Sequence, residues 1–253
     1  MTTAVITGAS SGLGKEYINA IIAQYPSVDA FWLVARRKER LRDIAQEHPD
    51  KTIAAISLDL ASPESLRLFE QLLKENNPEI KVLVTNAGFG KGVDFFSSQC
   101  DVMADMVDLN CRALTVITRL CLPYMLDDSL VLNISSIAAF APCPRMSVYS
   151  GTKSYVLAFS KALHDELRPR GIKVTAVCPG PMETEFWEVA GLPEGRSRLI
   201  DRLPKVDPKA VAAGSLRAAK RGRLTYTKGF FYKLYHVLGK LLPHGFLMEF
   251  TEV

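Results

Sequence analysis

Apolar residues along the chain fall into short unbroken runs separated by longer stretches in which they recur every three or four positions. The runs at 4–7, 30–35, 53–58, 82–85, 130–135 and 173–177 hold four to six residues each, the length of strands. Runs that are apolar at every position suit strands covered on both faces, and helices between them predict a parallel sheet. With right-handed crossovers this gives a single doubly wound α/β domain. A further short strand is expected at 224–227, after a helix at 208–221. Residues 193–204, bounded by two prolines and with no clear period, are expected to form an excursion that acts as a substrate lid. The division expected is 1–228 for the domain and 229–253 for an amphipathic tail.

Composition narrows this little. The 253 residues are 48% hydrophobic and 23% charged, as in ordinary globular proteins, and 31 basic against 27 acidic residues leave a net charge of +4. That excess is too mild to imply a nucleic-acid partner. Five cysteines are widely spaced without a C-x-x-C pair, so they read as reduced thiols, no metal site is expected, and the expected location is cytoplasmic. No apolar stretch is long enough for a membrane span, and the strand-like run at 4–7 leaves no room for a signal sequence.

Chemistry begins directly after the first run. Thr7-Gly8-Ala9-Ser10-Ser11-Gly12-Leu13-Gly14 leads into a helical segment at 15–24. Glycines permit a sharp turn and close approach of a pyrophosphate, while the helix start offers free amides and a positive dipole end. The second run ends in Arg36-Arg37-Lys38, where dinucleotide folds meet the adenosine ribose. An acidic residue there would favour NAD; two guanidinium groups suit a 2'-phosphate instead. A solvated helix start is the plainer alternative.

Further on, a run ending Asn133-Ile134-Ser135-Ser136 is followed by Tyr149-Ser150-Gly151-Thr152-Lys153. In a helix over 148–163 the four-residue spacing places Tyr149 and Lys153 on one face, with Ser136 at the end of the preceding strand opposite them. Thr7-Gly8-x-x-x-Gly12-x-Gly14, Asp59-Leu60, Asn86-Ala87-Gly88, Asn110, Ser136, Tyr149, Lys153 and Pro179-Gly180 occur in an order and spacing that closely resemble the short-chain dehydrogenase/reductase family, over nearly the whole chain. The tail is similar to that of the general bacterial and lipid-metabolising branch.

The resemblance implies a Rossmann fold, an NADP(H) cofactor and substrate bound over the C-terminal strand ends. It implies a catalytic tetrad of Asn110, Ser136, Tyr149 and Lys153, with Tyr149 as acid/base and Asn110 holding a water. A mid-helix asparagine also serves simply to satisfy a backbone group. The cofactor would be held by Gly8, Ser10, Ser11, Gly12, Leu13 and Gly14, by Arg36 and Arg37, by Asp59 and Leu60 at the adenine, by Asn86, Ala87 and Gly88, by Tyr149 and Lys153, and by Pro179, Gly180, Met182 and Thr184. Thr85 stands where the family often has Asn and should keep the hydrogen bond. Lys153 and the charged nicotinamide are expected to pull the Tyr149 pKa down from its ordinary value near ~10.

Phe140, Pro142, Met146, Phe186 and Trp187, with Ser136 and Tyr149, are expected to line the substrate site, and their bulk favours a hydrophobic ketone or secondary alcohol such as a steroid or 3-oxoacyl chain. The tail at 229–250 interleaves apolar residues with Lys228, Lys233, His236, Lys240 and His244. It is expected to pack on its own domain, on a second subunit of a homodimer or homotetramer, or peripherally on a membrane. The competing reading of the whole is a nucleotide-sensing regulatory protein of the same fold.

Overall fold

In a computed structural model of the chain, residues 1–192, 202–249 and 251 are described; the excursion expected at 193–204 lies outside them except for its last three residues. Seven parallel strands form one sheet in the order β3-β2-β1-β4-β5-β6-β7, where β1 is Thr2–Thr7, β2 Ala30–Ala35, β3 Thr52–Ser57, β4 Glu79–Thr85, β5 Met125–Ile134, β6 Lys173–Val177 and β7 Thr225–Tyr226. The order reverses at β1, so the crevice over the C-terminal ends of β1 and β4 is the switch point of a doubly wound sheet.

The period-two geometry of a strand explains why these runs are apolar at successive positions. Ala4 and Ile6 of β1 and Phe31 and Leu33 of β2 feed one core layer, whereas Val5, Trp32 and Val34 feed the other. On the first face pack α1 (Gly12–Gln24), α2 (Lys38–Glu47) and, after the excursion, α8 (Pro208–Lys220); on the second pack α3 (Pro63–Asn76) and α5 (Leu114–Cys121). The α1 and α8 helices are tied by a hydrogen bond between the buried hydroxyls of Tyr17 and Ser215, 2.6 Å apart and 198 residues apart in sequence.

Two elements differ from the expectation. The β5 strand starts at Met125 rather than Leu130, because Asp128 takes a left-handed φ of 58° and lets the chain pair with β4 on both sides of a register shift. Between α4 (Cys100–Val107) and α5 the helix widens into a π turn, Asp108–Ala113. The tail forms α9 (Phe230–Leu241) and α10 (His244–Met248). Among the described residues no helix is long and apolar enough to cross a membrane.

Candidate active site

The glycine turn is built around atoms that leave no room for side chains. Gly8 has φ 64°, and a Cβ on it would lie 2.8 Å from Ala87 Cα; a Cβ on Gly14 would lie 2.1 Å from the Gly8 carbonyl oxygen. Asn86 donates from Nδ2 to that carbonyl at 3.0 Å, and the Thr7 hydroxyl accepts from the amides of Asn86 and Ala87. Asn86 and Ala87 thus strap the turn to the end of β4 rather than projecting from it. Leu13 is buried in the core beneath α1. The α3 and α8 helices are capped by the side chains of Ser62 and Asp207, whereas Ser11 makes no side-chain cap for α1. The first amides of α1 are therefore open to an anion at the crevice.

Arg37 crosses from the end of β2 to this turn. Its guanidinium donates to Ser11 Oγ at 2.7 Å and to Ser10 Oγ at 3.1 Å, and Arg36 lies exposed beside it. The same guanidinium pairs with Glu185 at 2.7 Å, and Arg40 reaches the other carboxylate oxygen at 2.5 Å. These two guanidinium groups, Arg40 first, hold the Glu185 carboxyl down at about 2. Neither Arg40 nor Glu185 was singled out from the sequence. Arg40 carried a signal, one helical turn beyond Arg37; Glu185, far along the chain, carried none. Asp59 turns its carboxylate to the amide of Ala61 at 3.1 Å, and Leu60 is buried in the second core layer.

The α6 helix (Ser147–Glu166) carries Tyr149 and Lys153, both buried, on the face turned to the end of β5. Lys153 Nζ donates to the Ile134 carbonyl at 2.9 Å and lies 5.7 Å from the Tyr149 ring centroid. Burial pushes the phenol up to about 12, opposed by a hydrogen bond from Ser136, and burial pulls the ammonium down to about 8. The expectation that Lys153 lowers the Tyr149 pKa is therefore not met within the chain's own residues. The ammonium sits over the ring and is held by a backbone carbonyl, and desolvation is the largest influence on the phenol.

Asn110 lies in the π turn, whose extra residue per turn rotates its side chain inward. Its amide donates to the Phe89 carbonyl at 2.8 Å and to Thr152 Oγ1 at 3.1 Å, and its Oδ1 accepts from the Phe89 amide at 3.0 Å. Both donors are used, and a second lone pair on Oδ1 is what the side chain has left to offer a water. Asn110 satisfies a backbone, though of a distant loop rather than its own helix. Gly88 lies between: a Cβ there would meet Asn110 Oδ1 at 2.7 Å and Lys153 Nζ at 3.4 Å. Thr85 donates to Asn133 Oδ1 at 2.7 Å, keeping the bond expected of it.

Met146, Phe186 and Trp187 gather with Tyr149 in one apolar cluster that also includes Met106, Cys143 and Leu192. The Phe186 and Tyr149 ring centroids are 5.4 Å apart. Gly90, overlooked in the sequence, permits this: a Cβ there would lie 2.9 Å from both rings. Phe140 and Pro142 are corrections. Phe140 turns to the tail, stacked at 4.2 Å on His236, because Gly239 of α9 packs against its carbonyl. Pro142 is exposed, its carbonyl accepting from Thr251 Oγ1 at 2.9 Å. Pro179 accepts from the Ile137 amide at 3.1 Å, and Gly180 is covered by the ring of Tyr232, whose hydroxyl donates to the Pro204 carbonyl at 2.6 Å. Met182 accepts from Trp187 Nε1 at 2.8 Å, and Thr184 lies over the glycine turn, 3.2 Å from the position of a Gly12 Cβ.

Residues 2–193 match the family model described as short chain dehydrogenase. Among curated proteins, the chain is 31% identical over 192 residues to an uncharacterized oxidoreductase of Staphylococcus epidermidis, covering 73% of this chain and 80% of that one. It is 32% identical over 195 residues to the very-long-chain 3-oxoacyl-CoA reductase of Homo sapiens, covering 74% of this chain and 61% of that protein. Among solved structures it is similar to a short-chain dehydrogenase from Sphingobium yanoikuyae in complex with NADPH, with TM-score 0.81, 29% identity and coverage of 98% and 96% of the two chains. The bulky-bulky ketone specific alcohol dehydrogenase from Comamonas testosteroni is similar at TM-score 0.76 and 28% identity, with coverage of 98% and 94%.

Proposed function

Because the chain belongs to the short-chain dehydrogenase family, we propose that it is an NADP(H)-dependent oxidoreductase interconverting a hydrophobic ketone and its secondary alcohol, with Tyr149 as the acid/base. The observation that carries the reading is a buried Tyr149 close enough to Ser136 to feel its hydroxyl, with Lys153 Nζ 5.7 Å from its ring centroid and Met146, Phe186 and Trp187 in the apolar cluster around it.

The residues present fit the cofactor. The tight turn made possible by Gly8 and Gly14 ends at the uncapped start of α1, whose free amides suit a pyrophosphate, and Arg37 and Arg40 already hold one carboxylate, as they would a 2'-phosphate, beside Ser10 and Ser11. A dinucleotide in that crevice would supply or accept the hydride. The adenine end would rest beside Asp59 and Leu60, and the nicotinamide end between Pro179-Gly180, Met182, Thr184 and Lys153.

Tyr149 then donates its phenolic proton to the carbonyl oxygen during reduction. A phenol whose pKa burial has raised to about 12 keeps its proton at neutral pH, the form that donates during reduction. Ser136 donates a second hydrogen bond to the same oxygen and stabilises developing alkoxide charge. The Lys153 ammonium, fixed on the Ile134 carbonyl, stabilises the phenolate that remains. Asn110 acts as a positioning residue by clamping Phe89 beside Gly88. The apolar wall supports a lipid-like substrate, as does the likeness to a 3-oxoacyl-CoA reductase. The unit 1–228 carries this chemistry. The tail covers it with Tyr232 and Tyr235 and leaves Phe230, Leu234, Val237 and Leu241 exposed for a second subunit or a membrane surface.

Oxidation of NADPH by a panel of steroids, 3-oxoacyl thioesters and bulky ketones tests the reading. Turnover with at least one is expected, and Tyr149→Phe should lower it roughly a thousandfold while NADPH binds within a few fold. Retained activity in that variant would refute the acid/base role. Tight NADPH binding with no turnover by the unaltered protein would favour the nucleotide-sensing alternative.

A further inference from the structure

The carboxylate of Glu185 sits in an unusual setting for an exposed acid. One oxygen faces Arg37 and the other Arg40, while Arg37 simultaneously holds Ser10 and Ser11 of the glycine turn. Two guanidinium groups and two hydroxyls converging beside a helix start are a receptor for a multiply charged anion. A carboxylate satisfies part of it; a phosphate dianion, with more charge and a third oxygen, satisfies more.

Glu185 is also coupled to the reacting end. It precedes α7 (Phe186–Ala190), so its backbone joins Thr184, which lies over Gly12, to Phe186, whose ring packs on Tyr149. Trp187 follows and is anchored to the Met182 carbonyl. The segment tethered by this one carboxylate thus carries both the cover of the glycine turn and the wall beside the phenol.

We propose that Glu185 is a built-in placeholder for the cofactor's 2'-phosphate: it occupies the Arg37–Arg40 clamp until the phosphate displaces it, and its release repositions the segment that carries Phe186 and Trp187. The inference rests on the NADP(H) reading and adds to it a residue that sets affinity for the phosphate and links cofactor arrival to the substrate wall. Exposed ion pairs of this kind are individually weak, so a ligand can break them. A ligand shifts the segment only through its preference for one arrangement, and here the preference is competition for the same two arginines.

The test uses ligands that differ only by that phosphate, 2',5'-ADP and 5'-AMP, titrated calorimetrically into the unaltered protein and Glu185→Gln. The substitution keeps the shape and removes the charge. Affinity for 2',5'-ADP should tighten about fivefold in Glu185→Gln, with 5'-AMP unchanged within about twofold. Fluorescence gives the second readout. The chain has two tryptophans, so in a Trp32→Phe background Trp187 reports alone. Its emission should change on adding 2',5'-ADP to the Glu185 protein, and should start near that changed value in Glu185→Gln. Unchanged or weaker 2',5'-ADP affinity in Glu185→Gln overturns the placeholder. Tightened affinity with identical Trp187 emission in all states overturns the link to the wall. If 2',5'-ADP binds no better than 5'-AMP to either protein, the NADP(H) reading itself fails and the inference with it.

Discussion

Replacing Lys153 by Met should make the protein more stable while removing its turnover. Lys153 is 5% exposed, and burial lowers its pKa from an ordinary 10.5 to about 8. That interval corresponds to about 3 kcal/mol by which the folded chain disfavours the ammonium at neutral pH. Methionine is similar in length and carries no charge, so the whole penalty is removed; the lost hydrogen bond to the Ile134 carbonyl offsets about 1 kcal/mol. The expected net gain is about 2 kcal/mol, or roughly 4–8 °C in melting temperature for a domain of this size. The pH dependence supplies an internal check. A lysine whose folded pKa is depressed destabilises fully below about 8, and the penalty fades as pH rises from about 8 towards 10.5. The stability gap between Lys153→Met and the unaltered protein should thus be widest at pH 7 and shrink to about zero at pH 10, where the remaining penalty of about 1 kcal/mol only balances the lost hydrogen bond. Thermal melts at both values measure it. A variant that melts lower at pH 7, or a gap that does not narrow, would refute the claim that desolvation dominates at this position.

Two further substitutions test the supports of the site. Gly14→Ala would put a methyl 2.1 Å from the Gly8 carbonyl oxygen, so the turn must move; urea denaturation should register a loss of about 2–3 kcal/mol, with dinucleotide affinity falling alongside. Tyr232→Ala strips the ring that covers Gly180 and should destabilise by about 3 kcal/mol or more, whereas Tyr232→Phe, which loses only the bond to the Pro204 carbonyl, should lose about 1 kcal/mol in the same assay.

The strands were legible because a sheet covered on both sides leaves few polar positions to blur the run, and β2 and β6 agree with the sequence to the residue. The pairing of Tyr149 with Lys153 was legible because helix geometry alone relates residues four apart. What was hidden depended on distant partners. Leu126-Asp127-Asp128-Ser129 resembles a turn in isolation, and only pairing with β4 draws it into β5. The π turn at Asn110 adds one residue to a helix without altering its composition. Phe140 lies in a segment that the fold brings towards the reacting end, yet its carbonyl packs against Gly239, a hundred residues later, and its ring stacks on His236. The desolvation of Tyr149 was likewise invisible, since a spacing rule reports neighbours and not the absence of water.

The hydrogen bond between Tyr17 and Ser215 has a consequence for synthesis. At about 5–20 residues per second, the 198 residues between them take a ribosome roughly 10–40 s to add. Throughout that interval α1, with Ile18 and Ile21 fully buried in the finished protein, lacks the helix that completes its layer. The nucleotide-binding half is made first but packed last, so the nascent chain carries an apolar helix face in search of a partner, and its yield in a cell should depend on chaperones that bind such faces during translation rather than on the stability of the finished fold.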